Sequence, residues 1–170
     1  MINQQTGERN FHSFYYLLNG ANETKLTRYG LNSSNYTYLS QGNNSGHDYK
    51  IDYNEVNKAM KLVGFDENTV ETIWGIVASI LHLGNIKFED SETNDKCAIS
   101  KSSLSNEVNK IAKLLGISEI ELNNALTTRV IATGAKDIVT ANHTTKDAAY
   151  SRDAFAKVNF NIFNFLFYFL

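Results

Sequence analysis

Along most of this chain, apolar residues recur three and four positions apart, the spacing of one face of a helix. Serine- and asparagine-rich stretches separate the runs. The spacing predicts a first helix from about Glu8 to Asn19, with Phe11, Phe14, Tyr15, Leu17 and Leu18 inward and Gly20 as its stop. A polar loop follows, roughly Asn32 to Lys50, in which Tyr36 and Tyr38 are expected to pin the chain to the core. Asp52-Tyr53-Asn54-Glu55 fits an acid-for-serine capping box and opens a helix that buries Val56, Met60 and Val63 before Gly64. Asp66 is placed to cap the next and longest apolar helix, where Val70, Ile73, Trp74, Val77, Ile80 and Leu81 form one broad stripe with Gly84 after it. Ile86-Lys87-Phe88 reads as a short extended exit into an exposed loop, Glu89 to Asp95.

The second half continues the pattern and then breaks it. Leu104, Val108, Ile111, Leu114 and Leu115 make an amphipathic helix ending at Gly116. Ser118-Glu119-Ile120-Glu121 is a full capping box for another helix, carrying Leu122, Ala125 and Leu126. From Arg129 to Thr140 the period changes: Val130, Ala132, Ile138 and Val139 suggest a hairpin turning near Gly134-Ala135-Lys136. Thr144-x-x-Asp147 starts a last helix through Ala148, Phe155 and Ala156. The expected fold class is mainly α with one protruding β-hairpin.

Composition narrows the classes. With 42% apolar and 20% charged among 170 residues, the chain can collapse without a disulfide or metal staple. A net charge of −2 gives no basic excess to steer it toward nucleic acid, and one cysteine excludes a disulfide scaffold. The polar start is not a secretory signal. The five Asn-x-Ser/Thr triplets are expected by chance among 21 asparagines. Five of the ten phenylalanines fall in the last eleven residues, a run too short for a membrane-spanning helix, which takes about 20. The expected location is cytoplasmic.

The search for chemistry yields no active site. No glycine run has the spacing of a phosphate-binding loop or of Gly-x-Gly-x-x-Gly. Gly42 and Gly46 flank a stretch that reads as a loop. His12, His47, His82 and His143 lack metal-ligand spacing, and His12 and His82 read as satisfied core histidines. Cys97, in a polar loop with no nearby histidine or basic cluster, is not expected to be a nucleophile.

Several segments, in order, resemble the motor domain of a myosin. They are Gly7-Glu8-Arg9-Asn10-Phe11-His12-Ser13-Phe14-Tyr15, the stretch Ala59 to Phe65, Ile80-Leu81-His82-Leu83-Gly84-Asn85-Ile86-Lys87-Phe88, Leu114-Leu115-Gly116, and Tyr150-Ser151-Arg152-Asp153-Ala154-Phe155-Ala156-Lys157. The first of these, and the stretch from Ala132 through Lys157, most resemble class I myosins, with the short-tailed ones as the candidate subclass. The resemblance implies the helical portion of the upper 50-kDa subdomain of a P-loop NTPase motor, without the nucleotide-binding core sheet. Residues 1–157 are read as a partial motor domain with its hairpin at about 129–140, and 158–170 as a divergent apolar tail. Within that tail a myosin would carry charged positions; here none follows Lys157, and translated non-coding or frameshifted sequence is the expected source.

The family is an actin-activated ATPase that uses ATP and Mg²⁺. Its phosphate-binding loop and both switch motifs have no counterpart here, so no catalytic, nucleotide-binding or metal-binding residue is assigned and no cofactor is expected in this chain. Leu31-Asn32-Ser33-Ser34-Asn35 is only a superficial match to the first switch. The partners implied are actin filaments and the remainder of the motor head, at the actin cytoskeleton. Arg129, Lys136 and Asp137 are the candidate actin-contact residues. Asp137 stands sixteen positions before Asp153, where the family carries an acidic or phosphorylatable residue, so its negative charge would be permanent. The plainer readings are a solvated turn residue for Asp137 and a helix C-terminal cation for Arg129. A stand-alone actin-interaction module and a non-functional gene-model fragment are the alternatives to a piece of a motor.

Overall fold

In the computed structural model, which describes residues 7–32, 35–42, 48–90, 97–132 and 138–168, the chain is mainly helical. The order is α1 (His12–Gly20), α2 (Glu23–Arg28), a 3-10 turn (Thr37–Leu39), α3 (Tyr49–Leu62), α4 (Glu67–Asn85), β1 (Phe88–Asp90), β2 (Cys97–Ile99), α5 (Lys101–Ser103), a π turn (Leu104–Val108), α6 (Asn109–Leu115), α7 (Glu119–Thr127), β3 (Thr128–Ala132), β4 (Ile138–Asn142) and α8 (Thr145–Tyr168).

α4 is the centre. The spacing predicts one stripe, yet from Ile73 onward its opposite side is buried too, including Gly75, Ser79, His82 and Gly84. A helix apolar on nearly every side is one enclosed by others. α1, α3, α6 and α8 all pack on it. Asp66 caps it as expected, accepting from the Thr69 N–H at 2.7 Å. His82 is the satisfied core histidine expected: Nδ1 meets Glu107 Oε2 at 2.6 Å and Nε2 meets the Tyr29 carbonyl at 2.9 Å.

Several expectations are corrected. α1 starts at His12 rather than Glu8, so His12 is exposed rather than a core histidine. α3 starts a turn early, with Asp48 as its cap accepting from the Lys50 N–H at 3.0 Å; Asp52 lies in the first turn. The early start buries Tyr49 and Tyr53 together, with Tyr49 stacked on Tyr15 at 6.0 Å. Val63 falls after the last turn of α3 and is exposed, as is Ala125 on α7. The single hairpin becomes two strand pairs: β1 and β2 are antiparallel, Phe88 opposite Ile99 and Asp90 opposite Cys97. Cys97 is thereby buried in a strand rather than lying in a polar loop. Burial, and then the Asp90 carboxylate, push its thiol upward, the opposite of what a nucleophile needs. Between α5 and α6, the π turn adds a residue to one turn and rotates the face, leaving Leu104 exposed while Val108 and Ile111 are buried. α2, six residues capped by Asn22, is too short to register as a periodic run.

Gly20 is the last residue of α1, but positive φ is not what selects glycine there. A Cβ at Gly20 would lie 2.4 Å from Tyr53 Cβ and 2.5 Å from the Tyr49 carbonyl oxygen, where α1 crosses α3. Gly20→Ala is therefore expected to destabilise the chain by about 1–3 kcal/mol through overpacking, measured by urea denaturation. An unchanged midpoint would show that the two helices do not meet so closely.

α8 passes Lys157 without a break and continues to Tyr168. Phe160 and Phe163 are buried, and the Phe160 ring packs on Phe11 at 4.2 Å and on Phe14 at 5.8 Å. The residues read as the start of a divergent tail thus complete the core beside α1.

Candidate functional site

The β3–β4 pair rises from the place where α7, β2 and α8 meet. Its register sets Thr128 opposite Asn142, Arg129 opposite Ala141, Val130 opposite Thr140 and Ile131 opposite Val139. α7 stops where two threonines turn their hydroxyls back on it: Thr127 Oγ1 donates to the Asn123 carbonyl at 2.8 Å and Thr128 Oγ1 to that of Asn124 at 2.7 Å. The His143 N–H donates to the Thr127 carbonyl at 2.8 Å, closing the base, and the His143 carbonyl accepts from the Cys97 N–H at 3.3 Å. One residue on, Thr144 caps α8 as expected: its hydroxyl accepts from the Asp147 N–H at 3.1 Å and donates to the Asp147 carboxylate at 2.9 Å. Those Thr144 bonds hold the Asp147 carboxyl below its ordinary value, with smaller contributions from His143 and Arg129.

Above this fixed base both faces are exposed. Val130 is 70% exposed on one face, and Val139 (49%) and Ile131 (37%) on the other. Arg129 is exposed beside them. Lys136 and Asp137 lie outside the described residues, so of the three candidate contacts the structure locates Arg129. Among the described residues, this two-stranded ribbon therefore leaves apolar side chains exposed on both of its faces. Sequence spacing found the strands. The hairpin protrudes as expected, with Val130, Ile131 and Val139 exposed.

Three of the five segments that carry the resemblance converge on Tyr38. Asn10 Nδ2 donates to the Tyr38 carbonyl at 2.7 Å, and the Tyr38 hydroxyl donates to Asp153 Oδ1 at 2.7 Å. Arg152 holds the same carboxylate at 2.7 Å and donates to the Ile86 carbonyl at 2.9 Å. Gly84 leaves room for the Tyr38 ring, since a Cβ there would come within 2.7 Å of it. Burial, then the bond to Asp153, push the Tyr38 hydroxyl upward, so it stays a donor. Three stretches far apart in the chain are thus one lock, joining the chain before α1, the end of α4 and the middle of α8.

The description "Myosin head (motor domain)" belongs to a family model that matches residues 1–170. The chain belongs to the myosin motor-domain family. The myosin match includes residues 158–170. Among curated relatives, the chain is 43% identical over 159 residues to unconventional myosin ID of Drosophila melanogaster, covering 92% of this chain and 15% of that protein. It is 39% identical over 161 residues to unconventional myosin-Id of Homo sapiens, covering 92% and 15%. It is 37% identical over 177 residues to myosin IA heavy chain of Dictyostelium discoideum, covering 98% and 18%. These relatives are class I myosins, as the motif wording indicated, and the chain spans less than a fifth of the length of each. The sequence holds no phosphate-binding loop, and among the described residues no three His, Cys, Asp or Glu side chains group to hold a metal. Among those residues, no helix is long and apolar enough to cross a membrane.

Proposed function

We propose that this chain is the part of an actin-based motor head that carries an actin-contacting hairpin, and that it works at the actin cytoskeleton together with the remainder of that head. The observation that carries the reading is the β3–β4 ribbon, exposed on both faces and anchored at its base. Arg129 on β3 supplies a cation to pair with acidic groups on actin, and Lys136 and Asp137 add charge to the segment joining the strands. A stripe on α8, Tyr150, Val158 and Ile162, is exposed at helical spacing and supports contact with the remainder of the head. ATP hydrolysis is not assigned to this chain by itself, because it contains none of the residues that cradle phosphates and Mg²⁺ in phosphoryl transfer.

Filament co-sedimentation of the soluble chain tests the proposal. Arg129→Ala and Asp137→Lys are each expected to weaken pelleting several-fold, and raised salt to weaken it further, because charges at the rim of a contact act through screened fields. Equal pelleting of both variants and the unaltered chain would remove these residues from the contact.

A further inference from the structure

Away from the hairpin, a cleft of about 500 Å³ opens between the end of α2, the first half of α4 and α6. Three cationic side chains line it: Arg28, Lys110 and Lys113. Among the described residues, the one carboxylate on its wall is Glu71, and that charge is already answered. Lys25 Nζ holds Glu71 Oε1 at 2.5 Å, the Tyr29 hydroxyl donates to Oε2 at 2.6 Å, and Arg28 Nη1 stands farther off at 3.4 Å. Burial alone would push the Glu71 carboxyl upward. The bonds from Lys25 and Tyr29 outweigh it and hold the group below its ordinary value, as a carboxylate.

Lys25, which also stands 3.6 Å from Glu67, and Arg28 share the one charge of Glu71, so the cleft keeps the charge of Lys110 and Lys113 in excess, with Arg28 only partly answered. Lys110 and Lys113 lie one turn apart on α6, on one face. Neither has an ion-pair or hydrogen-bond partner among the described residues. Gly30, at φ +69°, lies against Lys110: a Cβ there would come within 2.9 Å of Lys110 Cδ, so a glycine at this turn lets the lysine stem rest on it. Asn68 and Thr72, on the α4 wall, add neutral polar groups. Two unpaired ammonium groups and a guanidinium fork around a small polar cleft suit a compact anion of more than one charge. A lone carboxylate would leave charge unanswered.

We propose that this cleft binds a small phosphate-bearing anion through Arg28, Lys110 and Lys113. No residue of β3 or β4 lines it, so this site and the actin contact stand or fall separately.

Calorimetric titration of the full chain with inorganic pyrophosphate at low ionic strength tests it. Saturable binding is expected, weakened about tenfold or more in Lys110→Gln/Lys113→Gln. It should survive in Lys113→Arg, and in Lys58→Gln/Lys146→Gln, which removes the same charge elsewhere on the surface. Absence of saturable binding overturns the proposal, and so does equal weakening in the two double variants, which would mark a general field instead of a site. Melting midpoints confirm that each variant is folded. A soluble inositol phosphate and vesicles carrying a phosphoinositide then separate the sources. Binding of the soluble ester alone assigns a free phosphoanion, and vesicle binding lost in Lys110→Gln/Lys113→Gln assigns a lipid headgroup.

Discussion

Phe160→Ala is expected to lower the stability of this chain by about 3–5 kcal/mol, read as a fall in the urea midpoint with the slope unchanged. The Phe160 ring is 4% exposed and sits among three others, Phe11, Phe14 and Phe163, with centroids 4.2, 5.8 and 5.7 Å away. Truncation removes the transfer energy of the ring and opens a hole beside α1 that aromatic neighbours cannot easily fill. The matched comparison is Ile162→Ala two residues on, which is 49% exposed and is expected to cost less than about 1 kcal/mol. If the two variants melted alike, the end of α8 would be a passive extension.

Trp74→Ala carries the second large effect, again about 3–5 kcal/mol in the same measurement. Trp74 is fully buried at the middle of α4, its ring 5.0 Å from that of Tyr53, and its indole N–H donates to Asn57 Oδ1 at 2.9 Å. Asn57 in turn donates to the Tyr53 carbonyl at 2.8 Å, so the tryptophan braces α3 as well as filling space. Trp74→Phe separates the two roles. It keeps most of the ring and loses the hydrogen bond, and is expected to cost about 1–3 kcal/mol, since the freed Asn57 oxygen must find another donor. A Phe variant as damaged as the Ala variant would contradict the division.

Much of the fold was legible because its signals are local. Asp66, Ser118 and Thr144 each announced a helix start through a side chain reaching a backbone N–H three residues on, and each does so in the structure. The same rule misled at α3, where Asp52-x-x-Glu55 is the better capping box. Burial of Tyr49 against Tyr15 draws the start back to Asp48, and that contact spans thirty-four residues no local rule can see. The β1–β2 pair was missed because its strands are three residues each, too short for alternation to show. Gly20 ends α1 as the spacing predicts, but a close helix crossing, which leaves no periodic trace, is what selects glycine there.

The candidate site divides along the same line. The strands and the cap at its base were readable from residues 128–147 alone. The exposure of its apolar side chains on both faces depends on what the rest of the chain leaves uncovered. The lock at Tyr38 gives a physical reason for motif runs that sequence could only match by resemblance. Arg152 in one run holds the Ile86 carbonyl of another, and Asp153 beside it accepts from Tyr38.

The most direct test of the account is actin-filament co-sedimentation of the folded chain beside Val130→Ser/Val139→Ser. Both valines are exposed, so the pair of changes should leave the melting midpoint nearly unmoved, within about 0.5 kcal/mol per site. The account predicts that the unaltered chain pellets with filaments in a saturable, salt-sensitive way and that the double variant loses most of that binding. A soluble, folded chain that fails to pellet, or a double variant that pellets equally well, would contradict the hairpin as an actin contact.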